Sequence, residues 1–164
     1  MQNNIFKNGI LGGIIVSIVM ISMIFYMKTY PDREPSAIIG FASMFLAFTF
    51  VILGIKKERE INNSAITFKR AFLTGLGISL VISTIYVMVW LIIYYIFFPD
   101  FMDKYSEMVL KNTNPEELAA KITEMNQMKE WYKNPLMIIV LTYMEILPIG
   151  IVVSLIGALI LKKK

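Results

Sequence analysis

Glu145 is the only charged residue in the twenty-eight positions 134–161, and Pro148 follows it by one helical turn. A run this long and apolar can cross a bilayer as a helix, and a carboxyl group near its middle is costly in hydrocarbon. Such a group needs a polar partner, water or a proton. The sequence therefore predicts a largely neutral Glu145, hydrogen-bonded inside a bundle to a hydroxyl such as Ser17, Ser22, Ser79, Ser83, Thr84 or Tyr86, or else balanced by a bound cation. Pro148 cannot donate to the carbonyl of Met144, so a kinked helix is expected there. A freed carbonyl beside an acid can hold a proton or a cation, as broken helices do in transporters. Glu145 and Pro148 are thus the candidate intramembrane polar site. The plainer reading is structural: Pro148 shapes packing, and Gly150, Ser154 and Ala158 form a contact stripe.

Other chemistry is sparse. The chain has no cysteine and no histidine, which removes disulfides, thiolate nucleophiles, imidazole bases and cysteine or histidine metal sites. No G-x-x-x-x-G-K-[ST], H-E-x-x-H or G-x-S-x-G motif occurs, so no phosphate cradle, zinc site or serine hydrolase is expected. The twelve methionines read as packing rather than a soft-metal site. No cofactor, no metal and no enzymatic activity are expected. Catalysis by the acids of residues 100–133 has the least support, since they look like a solvated face.

The elements that must position Glu145 are written in the charge pattern. The chain has 164 residues, 57% of them apolar and 17% charged, with a mean hydropathy of +0.64. Soluble domains carry about 25% charged residues. The charges are gathered between four long runs that hold no charge but Glu145, which predicts an all-α integral membrane bundle, one domain over 1–164, with spans at about 8–27, 36–55, 71–98 and 134–161. The first run is too long for a cleaved signal peptide and lacks an Ala-x-Ala site, so it reads as a retained helix. Small residues at four-residue spacing give each span a narrow packing face: Gly9 and Gly13 in the first; Ser36 and Gly40, then Ser43 and Ala47, in the second; Ala71, Gly75, Ser79 and Ser83 in the third; Gly150 and Ser154 in the fourth. Phe41, Phe45 and Phe48 read as core or lipid-facing bulk. Trp90, Tyr94 and Tyr95 read as an interfacial belt.

Residues 28–35 form a short turn between prolines. Residues 56–70 hold five of the sixteen Lys and Arg; Lys56, Lys57, Arg59, Lys69 and Arg70 are expected to contact anionic lipid headgroups. Residues 100–133 differ, with seven acids and amphipathic spacing. Phe101, Met102, Tyr105, Met108 and Val109 mark one helix face; Leu118, Ile122, Met125 and Tyr132 mark a second. That second helix is expected to start at Asn114-Pro115-Glu116-Glu117, with a capping side chain, a first-turn proline and acids at the positive dipole end. The pair makes a hairpin, either a lid or partner-binding cap or a simple connection. Four spans put both termini and residues 56–70 on one side, where nine Lys or Arg fall in about twenty-five residues against seven in about forty-three opposite. By the positive-inside rule both termini face the cytoplasm, with the hairpin outside. The net charge of +4 is explained by these flanks, and no nucleic-acid partner is expected.

The order of features resembles a bacterial family of small four-helix membrane proteins, domain-of-unknown-function family forty-one ninety-nine. The resembling stretches are Ile66-Thr67-Phe68-Lys69-Arg70-Ala71-Phe72 entering the third span, Pro99-Asp100-Phe101 at its aromatic exit, Glu130-Trp131-Tyr132-Lys133-Asn134-Pro135-Leu136, and Glu145-Ile146-Leu147-Pro148-Ile149-Gly150 ahead of the lysine tail. The resemblance implies an integral protein of a bacterial inner membrane, with no activity, substrate or catalytic residue to carry over. The expected function is that of a non-enzymatic structural or accessory membrane subunit whose partners are the bilayer and another membrane protein or a second copy of itself. The alternative is a small proton- or cation-linked transporter using Glu145 beside the Pro148 break.

Overall fold

A computed structural model describes residues 1–31, 33 and 36–163. Asp32, Glu34 and Pro35 of the expected 28–35 turn, and Lys164 of the lysine tail, lie outside the described residues. The fold is the all-helical bundle expected: α1 (Gln2–Thr29), α2 (Ala37–Ile61), α3 (Phe68–Ile92), a π-helical turn (Ile93–Phe97), α4 (Phe101–Lys111), α5 (Leu118–Tyr132) and α6 (Pro135–Leu161). Four of these, counting α3 with its π-turn, are long and apolar enough to cross a membrane.

Two of the long helices, α3 and α6, start where side chains satisfy the first orphan N–H groups. The Thr67 hydroxyl accepts from the Arg70 N–H at 3.3 Å, and Asn134 Oδ1 accepts from the Leu136 N–H at 2.9 Å with Pro135 in the first turn. α5 differs from expectation. It begins at Leu118 with no side-chain cap, because residues 115–117 form a separate turn in which the Glu117 N–H donates to the Asn114 carbonyl at 3.0 Å.

In lipid, apolar side chains gain little by leaving one another for acyl chains, so helices associate through close packing and polar contacts. Here α3 is central. Gly9 and Gly13 of α1 lie against Val81 and Ile85 of α3, and Gly12, outside the expected pair, lies against Ile82 and the Ala47 carbonyl of α2. On the other flank, Gly75 meets Ser154, and Gly150 meets Ser79 and the Phe48 ring. The Ser79 hydroxyl donates to the Gly150 carbonyl at 3.1 Å and lies 3.0 Å from the Ser154 hydroxyl. Phe48 is buried at this junction while Phe41 and Phe45 face outward.

One end of the bundle is pinned. Ile66 and Lys163 exchange antiparallel backbone hydrogen bonds of 2.8 and 2.9 Å, and Asn4 Nδ2 donates to the Gly54 carbonyl at 2.8 Å. Both described termini therefore share this end with the α2–α3 loop, where Asn63 and Ser64 adopt positive φ. The hairpin of α4 and α5 caps the other end. Met108, Val109 and Met125 form its own small core, and Lys129 pairs with Asp103 across it at 2.9 Å. Ile122 faces solvent instead of the expected inner side.

A Cβ added at Gly150 would lie 2.7 Å from both Phe48 and Ser79, whereas one at Gly40 finds nothing nearer than 3.8 Å. Overpacking of this kind costs about 1–3 kcal/mol. Gly150→Ala is expected to lower the unfolding free energy in SDS titration by that amount, and Gly40→Ala to stay within about 0.5 kcal/mol of wild type. Equal stability of the two variants would contradict the packing described.

Candidate functional site

The α3–α6 seam tapers. Toward the termini it is built from Ala71, Gly75 and Ser79 facing Ala158, Ser154 and Gly150; toward the hairpin the same faces carry Tyr86 and Trp90 against Ile146, Thr142 and Ile138. The small residues let the backbones come close at the first level, and the side chains that meet at the second are larger. α2 supplies Ala37, Gly40, Phe41, Ser43 and Met44 at that level. The result is a cavity of about 410 Å³ under the hairpin, within the size range of small-molecule sites.

Its walls are largely apolar. Six of the twelve methionines line it: Met20, Met23 and Met27 from α1, Met44 from α2, Met102 from α4 and Met128 from α5. Unbranched thioether chains adapt to irregular shapes. Sequence gave this no signal, because the six come from four helices. Trp90, expected in an interfacial belt, is instead buried in the wall and meets the Phe101 ring edge-on at 4.8 Å. Tyr94 stacks edge-on against Tyr132 at 5.4 Å. Trp90 and Tyr94 thus join α3 to the hairpin, while Tyr95 stays exposed.

Glu145 also lines this cavity. Its side chain is not enclosed by the bundle, as the sequence had suggested, but exposed at the junction with a second cavity of about 320 Å³. The two share Met128, Tyr132, Thr142 and Glu145, and the second continues to Glu124, Gln127 and Trp131 of α5. Of the six candidate hydroxyls only Tyr86 reaches the acid, donating to Oε1 at 3.4 Å. Ser22 donates to Ile18 and Thr84 to Leu80 within their own helices; Ser79 is taken up in the seam; Ser17 and Ser83 are buried without a hydrogen-bond partner. No described Lys or Arg pairs with Glu145, and neither cavity has one in its lining. Burial pushes the Tyr132 phenol up to about 12, with the Glu145 charge adding to the effect, so this wall presents a neutral hydroxyl at pH 7.

α6 runs as one unbroken helix from Pro135 to Leu161 through Pro148, and neither Met144 nor Pro148 lines either of these two cavities.

A second carboxylate, unnoticed in the sequence, lies at the termini end. Glu58 has no accessible surface. It accepts from Arg70 Nη2 at 2.8 Å and Nε at 3.2 Å, and the Met1 amino group stands 3.6 Å away. Asn4 and Asn62 each donate to it at 3.4 Å. Glu58 continues the buried face Ala47, Val51, Gly54 and Ile55 at helical spacing, a signal masked by the charges beside it. Arg70 is therefore bound to Glu58, and Arg59 points back to the Leu161 carbonyl at 3.4 Å. Lys56, Lys57 and Lys69 are exposed.

Four apolar helices with a helical cap define the class: a four-span, all-helical membrane bundle. The family described as "Protein of unknown function (DUF4199)" matches residues 7–163, so the chain belongs to that family. No curated protein and no solved structure matches the chain.

Removing one partner of a buried ion pair costs about 3–5 kcal/mol when both groups are dry; the Arg70 side chain is 46% exposed, so screening trims the expected loss to about 2 kcal/mol. Arg70→Ala should lower stability in SDS titration by that amount, and adding Glu58→Gln should recover roughly half. A double variant no more stable than Arg70→Ala would show that Glu58 is not the charge Arg70 neutralises.

Proposed function

We propose that this is a non-enzymatic accessory protein of a bacterial inner membrane that works by holding an apolar or amphiphilic guest in the cavity beneath the hairpin. The observation that carries the reading is the cavity itself: a well-packed bundle would be expected to fill such a volume, and this one lines it with adaptable methionines around a single carboxyl group. The hairpin is then a cap over the guest. Lys and Arg density, nine in about twenty-five residues against seven in about forty-three, supports placing both termini in the cytoplasm and the cavity in the opposite leaflet.

The carrier reading, with Glu145 passing a proton or cation, is favoured by the acid's contact with two cavities. Beyond Glu145 toward the termini, however, Phe48, Ile55, Ile78, Ile82 and Ile146 are fully buried. A dry apolar plug of this kind supports binding over conduction.

Gly40 lines the cavity and has room for a larger side chain. Gly40→Phe is expected to fill part of the space, reducing apolar adducts seen by native mass spectrometry of detergent-released protein by about tenfold, equivalent to 1.4 kcal/mol. Its stability in SDS should stay near that of wild type. Undiminished adducts in a folded Gly40→Phe variant would refute the reading.

A further inference from the structure

Resting on that reading of the cavity, we propose that the guest is an amphiphile with one protonated amine and no anionic group, its amine at Glu145 and its apolar chain along the methionine wall. The inference comes from which charges meet at the junction of the two cavities. Glu145 reaches this point with one hydroxyl partner, the Tyr86 phenol at 3.4 Å, and no ion-pair partner among the described residues. The nearby Glu124 is already paired with Lys121 at 2.8 Å. An amine supplies what is missing: donors for the acceptor positions of Glu145 that Tyr86 leaves free, and a positive charge opposite an unpaired carboxyl group. Trp131 and Tyr132 line the second cavity beside the same carboxyl group, and aromatic faces attract ammonium groups.

The same inventory excludes phosphate-bearing lipids. With no Lys or Arg in either lining, a phosphate would lie against the uncompensated Glu145, the Lys121 charge being already taken up by Glu124. An uncharged alcohol would fit the apolar wall but leave Glu145 as it found it. The second cavity opens onto Gln127 and Glu124, both exposed, which gives the polar head a route from water while the chain enters past exposed Phe41 and Ala37 at the other side. Head and tail thus have separate doors, which suits a molecule lying at a membrane surface.

The two tryptophans make the test direct, because Trp90 lines the first cavity and Trp131 the second. In phosphatidylcholine nanodiscs, with Trp131→Phe isolating Trp90, quenching is titrated with 11-bromoundecylamine, 11-bromoundecanol and 11-bromoundecanoate. The amine should bind about tenfold or more tightly than the alcohol, and the carboxylate more weakly than either. Glu145→Gln should bring the amine down to the level of the alcohol, whose own binding stays unchanged and so reports that the variant is folded. Added phosphatidylethanolamine should not compete. Equal quenching by amine and alcohol in the wild-type protein, or competition by phosphatidylethanolamine, overturns the amine assignment and leaves the cavity reading standing. No saturable quenching by any of the three overturns both.

Discussion

The close approach of α3 and α6 is the contact on which the rest of the molecule depends. Hydrocarbon offers helices no hydrophobic reason to meet, so backbones must come near enough for dispersion and for short polar contacts. Gly75, Ser79, Gly150 and Ser154 permit that approach, and the Ser79 hydroxyl, shared with the Gly150 carbonyl and the Ser154 hydroxyl, fixes its register. Single interhelical hydrogen bonds in membranes contribute about 0.6 kcal/mol on average, so the seam owes its strength to packing and its specificity to the serines. Because the small residues run out toward the hairpin, the same seam that closes one half of the bundle leaves the other half open.

Glu58 and Glu145 show how one chain handles charge in opposite ways. Glu58 is dry, and the molecule surrounds it with Arg70, Asn4 and Asn62, tying α1, α2 and α3 at the end where Ile66 and Lys163 also clasp. That carboxylate is a fastening. Glu145 stands where two cavities meet, with one phenol in reach and room beside it. A bundle able to satisfy Glu58 so fully could have closed around Glu145 by the same means. The contrast gives the open site its interest, since an acid in a span is by default a functional hypothesis.

Much of the architecture was legible from the sequence because it follows from local rules: uncharged run length gives the helices, and small residues at four-residue spacing gave the α3 and α6 faces that the structure buries. Gly12 was missed because it breaks that spacing, packing instead on α2 and α3 together. The Glu58–Arg70 pair was missed because a charge inside a basic connection reads as solvated until the tertiary fold brings Asn4 to it. Glu145 stood out, but its surroundings did not. Whether an acid is enclosed or open depends on which side chains of α3, α5 and α6 meet around it, which no single helix encodes. The cavity was invisible for the same reason, its methionines being far apart in the chain.

The absence of cysteine makes the decisive measurement clean. Single-cysteine variants in sealed membrane vesicles of defined orientation are treated with a water-soluble methanethiosulfonate reagent, applied to each face in turn. The account predicts that Glu145→Cys is modified from the hairpin face alone, at a rate approaching that of the exposed Asn112→Cys, while Ser79→Cys in the seam is not modified from either face. A thiol at 145 that resists the aqueous reagent yet is quenched by a lipid-borne probe would place this position against acyl chains, and the cavity could not be the site.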